Sequence, residues 1–217
     1  DNANLASLYF WEHKNDDANH HSSGYVGGYG VRTLGVGTAA TIPVTDAGLE
    51  TGTYTYTEPE QYIPVGQGFF VEMNAIGGTV EFNNSQRAYQ AIGTSSVFFR
   101  TSNLSVLKLG FEYQNADALL LHRQIAVSFS EKNSFNYDNG YESTIFDLDD
   151  SDIYFQFNNS DKKFVITGVQ DISDELEVPI ALKIGAYNNV KIMVDTTINI
   201  QDKDLFLLDK VKDTTYN

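Results

Sequence analysis

Five aspartates between residues 138 and 152 carry the side chains best suited to metal binding. Calcium prefers about six to eight hard oxygen ligands, which aspartate, asparagine and backbone carbonyls supply. The EF-hand pattern does not fit, because its alternating acidic ladder and bidentate glutamate are absent. We expect either a structural calcium site or a solvated acidic turn, and no other cofactor. The candidate ligands are Asp138, Asp147, Asp149, Asp150 and Asp152.

Aromatic side chains beside polar residues are the second candidate for binding. Tryptophan and tyrosine combine a large apolar ring with a polar tip, so exposed rings in a row can stack against sugars. The candidates for such a platform are Trp11, Tyr25, Tyr29, Tyr54 and Tyr56. The alternative is that these rings pack in the core or at strand edges.

A catalytic constellation is not recognisable in the chain. The sequence has no Gly-x-Ser-x-Gly elbow, no His-Glu-x-x-His and no cysteine. A glycosidase would need two carboxylates about 5–10 Å apart, for which Glu12, Glu72 and Glu81 are available, although spacing alone cannot show that they converge. His20 and His21 could bind a transition metal or lie in a solvated loop. We therefore predict that the chain is not an enzyme.

Composition excludes several classes of partner. The formal net charge is −15, which repels the phosphates of nucleic acids and of anionic membranes. The sequence has no apolar run of the roughly 18 residues that a membrane helix needs, so we predict no membrane insertion. Without cysteine the chain has no disulfides. No export signal is recognisable at its start.

The elements that must position these side chains are short strands separated by turn residues. Residues 53–57 alternate as Thr-Tyr-Thr-Tyr-Thr, and residues 180–186 place isoleucine and leucine on one face. Turn residues predict three hairpins, at Gly77-Gly78, at 158–161 and at Asn188-Asn189. The predicted fold is all-β, an antiparallel, jelly-roll-like β-sandwich with long polar loops. We expect a single domain over residues 1–217, with a weak seam near residues 100–103.

Four short sequence motifs in the first half of the chain resemble those of a known family. They are LYFWEH at 8–13, YIPVGQGFFV at 62–71, VEFNNSQR at 80–87 and FFR at 98–100. In this order they resemble a β-sandwich domain of secreted and cell-surface proteins of flavobacteria and other Bacteroidetes, exported by the type IX secretion system. A proline-containing opening segment and a last strand usual in that family are absent. We therefore expect a fragment of a longer chain, with a strand edge open to neighbouring copies or domains.

The resemblance implies an extracellular or outer-surface location, with the secretion machinery engaging a region outside this chain. It also implies a non-catalytic module acting as a spacer, an adhesin or a component of a filament or assembly. A carbohydrate-binding module that holds a polysaccharide or other glycan on exposed aromatic rings is the alternative. A polysaccharide-active enzyme is a third reading, which would need a convergent pair of carboxylates in a cleft.

Overall fold

The computed structural model describes residues 4–13, 27–43, 58–89, 104–157, 160–185, 189–200 and 202–217. These segments contain fourteen strands and one short 3-10 helix, Asn84–Gln86. The strands are β1 (Leu5–His13), β2 (Gly27–Arg32), β3 (Gly37–Thr38), β4 (Ile42–Pro43), β5 (Phe70–Met73), β6 (Ser105–Gln114), β7 (Leu120–Phe129), β8 (Ser143–Thr144), β9 (Asp152–Phe155), β10 (Phe164–Val169), β11 (Ile180–Lys183), β12 (Lys191–Ile198), β13 (Leu207–Asp209) and β14 (Thr214–Tyr216). No helix in these segments is long and apolar enough to cross a membrane.

Two main sheets and a hairpin organise the strands. The smaller sheet has the order β3-β2-β1-β5, and the larger has the order β11-β9-β10-β7-β6-β12. Two short strands join the larger sheet at its sides, β4 on β7 and β8 on β10. Strands β13 and β14 form a separate two-stranded sheet. The predicted all-β sandwich is confirmed.

The larger sheet is mixed, because β10 runs parallel to β7 while the other described pairs are antiparallel. A parallel neighbour needs a long crossover connection, which residues 130–163 supply. All six residues of β10 are buried. That burial matches its nearly continuous apolar sequence, Phe-Val-Ile-Thr-Gly-Val, since a strand covered on both faces has no polar side.

The pair β6–β7 shows how period-two alternation distributes side chains between the two faces of a sheet. Leu109, Phe111 and Tyr113 share one face with their partners Ile125 and Leu121 in the register of this pair. These side chains belong to a core that also takes in Tyr9 and Val31 of the smaller sheet. The opposite face is mixed, because the polar Lys108 and His122 lie on it with the buried Val106 and Ala126. The core therefore joins the two sheets.

Two of the three predicted hairpins are wrong. Strands β11 and β12, on either side of Asn188-Asn189, pair with β9 and β6 and not with each other. Residues 80–82 form no strand after Gly77-Gly78, and β5 pairs with β1 instead. The third prediction is confirmed for the two strands, since β9 and β10, which flank residues 158–161 in the sequence, pair antiparallel. The predicted strand at 53–57 and the seam near 100–103 lie outside the described residues.

Candidate functional site: an aromatic surface on the smaller sheet

Four aromatic rings meet where the smaller sheet approaches the loop after β8. In the strand register Trp11 lies opposite Tyr29, and Phe70 lies opposite Tyr9. The loop adds Phe146, whose ring centroid lies 4.8 Å from that of Tyr29 and 5.7 Å from that of Phe70. The centroids of Trp11 and Tyr29 are 5.1 Å apart. We call Trp11, Tyr29, Phe70 and Phe146 the aromatic surface.

The aromatic surface is exposed although it is strongly apolar. Trp11 is 44% exposed, Phe70 is 55% exposed and Phe146 is 54% exposed, while Tyr29 is half-buried and packs against the core. A contiguous group of exposed, large apolar side chains marks a binding surface, whereas single exposed apolar side chains are common on any protein. This surface is therefore the leading candidate for a functional site.

A polar network fixes the aromatic surface from the core side. Tyr9 is buried, its ring centroid lies 5.2 Å from that of Phe146, and its hydroxyl donates to Glu72 Oε2 at 2.5 Å. Glu72 also accepts hydrogen bonds from the hydroxyls of Ser7, at 2.8 Å, and Thr144, at 2.9 Å. Burial, followed by the charge of Glu72, raises the pKa of Tyr9 to about 12. Tyr9 therefore stays a neutral donor, and Glu72 ties the smaller sheet to β8.

A second network holds the loop that carries Phe146. Arg123 on β7 is almost fully buried and donates to Asp147 Oδ1 at 3.0 Å and to the Asp147 carbonyl at 2.8 Å. Its Nε lies 2.6 Å from Asp152 Oδ1. Burial opposes the guanidinium charge, but the two carboxylates outweigh it and hold the pKa of Arg123 above its usual value. Asp147 Oδ2 also accepts the backbone N–H of Tyr29 at 2.9 Å, which links this network to β2.

The five aspartates predicted to bind metal are dispersed among different partners. Asp147 and Asp152 face Arg123, while Asp149 accepts the Tyr113 hydroxyl at 2.8 Å. Asp150 is 81% exposed, and Asp138 accepts the backbone N–H of Ser134 at 2.6 Å. Within the described segments no three acidic or histidine side chains are placed to hold a metal ion. Calcium binding stays a prediction, and Arg123 supplies positive charge to two of the proposed ligands.

Glu12 and Glu72, two of the three candidate carboxylates for sugar hydrolysis, do not converge in the structure. Glu72 bonds to Ser7, and Glu12 lies five residues further along β1. Five residues correspond to about 17 Å of strand, and an odd step puts the side chains on opposite faces. That separation exceeds the roughly 5–10 Å that the two carboxylates of a glycosidase span. Glu81 lies outside the strands and is exposed.

A polar cluster that the sequence did not reveal lies on the opposite face of β6 and β7. His122 Nε2 lies 2.9 Å from Asp195 Oδ2, and Gln124 donates to the same oxygen at 3.0 Å. Burial opposes the Asp195 charge, but these two hydrogen bonds outweigh it and lower the pKa of Asp195. Nearby, the buried Lys108 ammonium donates to the Gly37 carbonyl at 2.9 Å and pairs with Glu58. Each of these charges has a partner, so the cluster links β12 to β7 within the larger sheet and joins the β3 segment to that sheet.

The structure brings together two of the five predicted aromatic residues, Trp11 and Tyr29. Tyr25, Tyr54, Tyr56, His20 and His21 lie outside the described residues. Sequence reasoning missed two members of the surface. Phe70 lies in the motif at residues 62–71 that carries the family resemblance, whereas nothing in the local sequence distinguishes Phe146.

Comparison with known proteins gives a family without a function. No curated protein matches the chain. No solved structure matches it either. One family model covers residues 1–217, that of a domain of unknown function, DUF8693. Since the match spans the whole chain, this β-sandwich belongs to the DUF8693 family.

Proposed function

We propose that this chain is a non-catalytic adhesion module of a secreted or cell-surface protein, and that it attaches through the aromatic surface. The observation that carries the proposal is the exposure of Trp11, Phe70 and Phe146 at one place on the smaller sheet. A partner that covers these rings would gain about 25 cal/mol of binding free energy for each Å² of apolar area removed from water.

Two features support binding rather than catalysis. Glu72 accepts several hydrogen bonds that hold the two sheets together, so its carboxylate has a structural role. Asp147, which follows Phe146 in the chain, is held by Arg123 and by the Tyr29 backbone. A general acid or base must reach substrate with a free oxygen, and these two carboxylates already have internal partners.

A glycan is the ligand that we propose for this surface, since the exposed rings of Trp11, Phe70 and Phe146 can stack against the apolar faces of sugars. The test is binding of the purified chain to an immobilised glycan array, with Trp11→Ala as the variant. Tyr89→Ala is the matched control, because Tyr89 is 92% exposed and has no part in the aromatic surface. We expect the wild type and the Tyr89 variant to bind the same glycans and the Trp11 variant to lose them. Equal binding by all three proteins would refute the assignment of this surface.

Secretion of the parent protein is part of the same proposal, supported by the resemblance to domains exported by the type IX system. Protease treatment of intact host cells tests it. We expect the domain to be digested or released from intact cells while a cytosolic marker survives. Protection of the domain until the cells are lysed would contradict the proposed location.

A second candidate is assembly through strand addition, which the position of β12 favours. This eight-residue strand ends the path of the larger sheet as described, and its Val194 is 51% exposed. A strand at a sheet end can pair with a strand of another molecule. Sedimentation velocity over a range of concentrations tests this alternative. Dimers that Val194→Lys abolishes would favour assembly, and a monomer at all concentrations would exclude it.

A further inference from the structure

Resting on the adhesion function proposed above, we propose that the aromatic surface binds an uncharged polysaccharide and discriminates against anionic ones. Three features of the described residues lead to this ligand class. They are the packing of the rings against one another, the acidic groups beside them, and the pairing of the nearby Arg123 guanidinium with Asp147 and Asp152.

The packing of the rings favours an extended ligand that lies across them. Tyr29 contacts Trp11, Phe70 and Phe146 with ring centroids 5.1, 6.0 and 4.8 Å away. Rings this close are in direct contact with one another, which leaves no gap between them for a small molecule or an ammonium group. The outward side of the cluster is therefore what a ligand meets. The apolar C–H faces of successive pyranose units suit a surface of this kind.

The groups beside the rings are hydrogen-bond acceptors with negative charge. Asp147 lies against the backbone of Tyr29, and Glu72 lies against Tyr9, whose ring contacts Phe146. Both carboxylates already accept hydrogen bonds inside the protein, so they act on a ligand through their negative charge. They repel the carboxylates of uronic acids and the sulfates of sulfated polymers, and the net charge of −15 adds to that repulsion at longer range.

Arg123, the guanidinium bound to Asp147, offsets only part of this negative charge, because two carboxylates face it. Its side chain is 4% exposed, and Asp147 and Asp152 hold it from inside the protein. An anionic ligand on the rings would therefore meet Asp147 without reaching Arg123. Recognition of carboxylate or sulfate groups normally uses an accessible arginine or lysine, and the described part of this surface presents neither.

The experiment is native affinity electrophoresis of the chain in gels that contain one polymer each. Hydroxyethyl cellulose and carboxymethyl cellulose share a backbone and differ in charge. Galactomannan and polygalacturonate add a second neutral and a second anionic polymer, and chitosan supplies a cationic one. The proteins are the wild type, Trp11→Ala, Phe70→Ala and the control Tyr89→Ala, each first checked for a native circular dichroism spectrum.

We expect at least one neutral polymer to retard the wild type and Tyr89→Ala equally. Both aromatic-surface variants should bind it at least tenfold more weakly. Anionic polymers should cause no retardation, and binding to the neutral polymer should not change between roughly 50 and 500 mM salt, because screening affects only charged ligands.

The remaining outcomes separate the ligand class from the proposed function. Stronger binding to an anionic polymer or to chitosan, lost in Trp11→Ala, would overturn the uncharged ligand and leave the adhesion surface intact. Retardation that survives both aromatic substitutions would show that another surface binds. No retardation by any polymer, together with no binding on the glycan array, would overturn both proposals.

Discussion

Replacing Asp152 with asparagine is expected to destabilise the fold strongly. Asp152 is completely buried, and its carboxylate lies 2.6 Å from the Nε of the buried Arg123. It also accepts the backbone N–H groups of Ile153 and Asp149 at 2.9 and 3.0 Å. An asparagine keeps the shape but removes the charge and turns one acceptor into a donor that faces an N–H group.

The loss of stability depends on which carboxylate partner Arg123 keeps in the variant. Removing one partner of a buried ion pair typically costs about 3–5 kcal/mol. Asp147 remains in contact with Arg123, so we expect the lower end, about 3 kcal/mol. In a chain of this length each kcal/mol shifts Tm by about 2–4 °C, which gives a fall of about 6–12 °C.

Thermal and urea unfolding followed by circular dichroism measures this change. Asp150→Asn is the matched control, because Asp150 is 81% exposed and lies 3.8 Å from a partly exposed Lys183. An exposed pair contributes about 0–1 kcal/mol, so the control should shift Tm by no more than about 4 °C. The double variant Arg123→Met/Asp152→Asn should lose less than the sum of the single losses, since it removes the unpaired charge. Equal Tm values for the Asp152 and Asp150 variants would refute the reasoning.

Two further predictions concern the packing and the pH dependence of the fold. Gly110→Ala should cost about 1–3 kcal/mol in urea unfolding, because its methyl group would lie 2.3 Å from Asp195 Oδ1 and 2.4 Å from His122 Cε1. Gly68→Ala, where nothing lies within 4 Å, is the control and should unfold like the wild type. Burial raises the pKa of Glu142 to about 8, so the folded state holds this proton more tightly than the unfolded state. Its contribution to stability is therefore present below its unfolded pKa and is lost as the pH rises through about 8. The free energy of unfolding should fall from pH 5 to pH 9 less steeply in Glu142→Gln than in the wild type, and identical slopes would contradict this assignment.

The sequence predicted the fold class because strand periodicity is a local signal. Polar and apolar residues alternate within a few positions, so the pair of strands on either side of residues 158–161 was predictable without a structure. Turn chemistry is local in the same way, since Gly66 has a φ of 89°, which glycine adopts without strain, in a turn closed by a hydrogen bond from the Gln67 N–H to the Pro64 carbonyl at 3.1 Å.

Strand pairing was decided by the tertiary structure. The same apolar face of β11 could pack beside several strands, and local sequence favoured its neighbour β12. In the folded chain β11 pairs with β9, and β12 pairs with β6, where Asp195 reaches across Gly110 to His122. Contacts of this kind depend on how all the faces fit together, which no window of sequence contains.

For the candidate site, the sequence by itself determined the chemistry of the side chains, and folding determined which of them meet. Trp11 and Tyr29 were recognisable as ring faces, and Asp147 and Asp152 as acidic groups. Only the register of β1 with β2 and β5 puts those rings beside Phe70, and only the loop held by Arg123 adds Phe146. The physical reason is that residue type and periodicity are local properties, whereas a binding surface and a buried ion pair exist only when distant segments pack together.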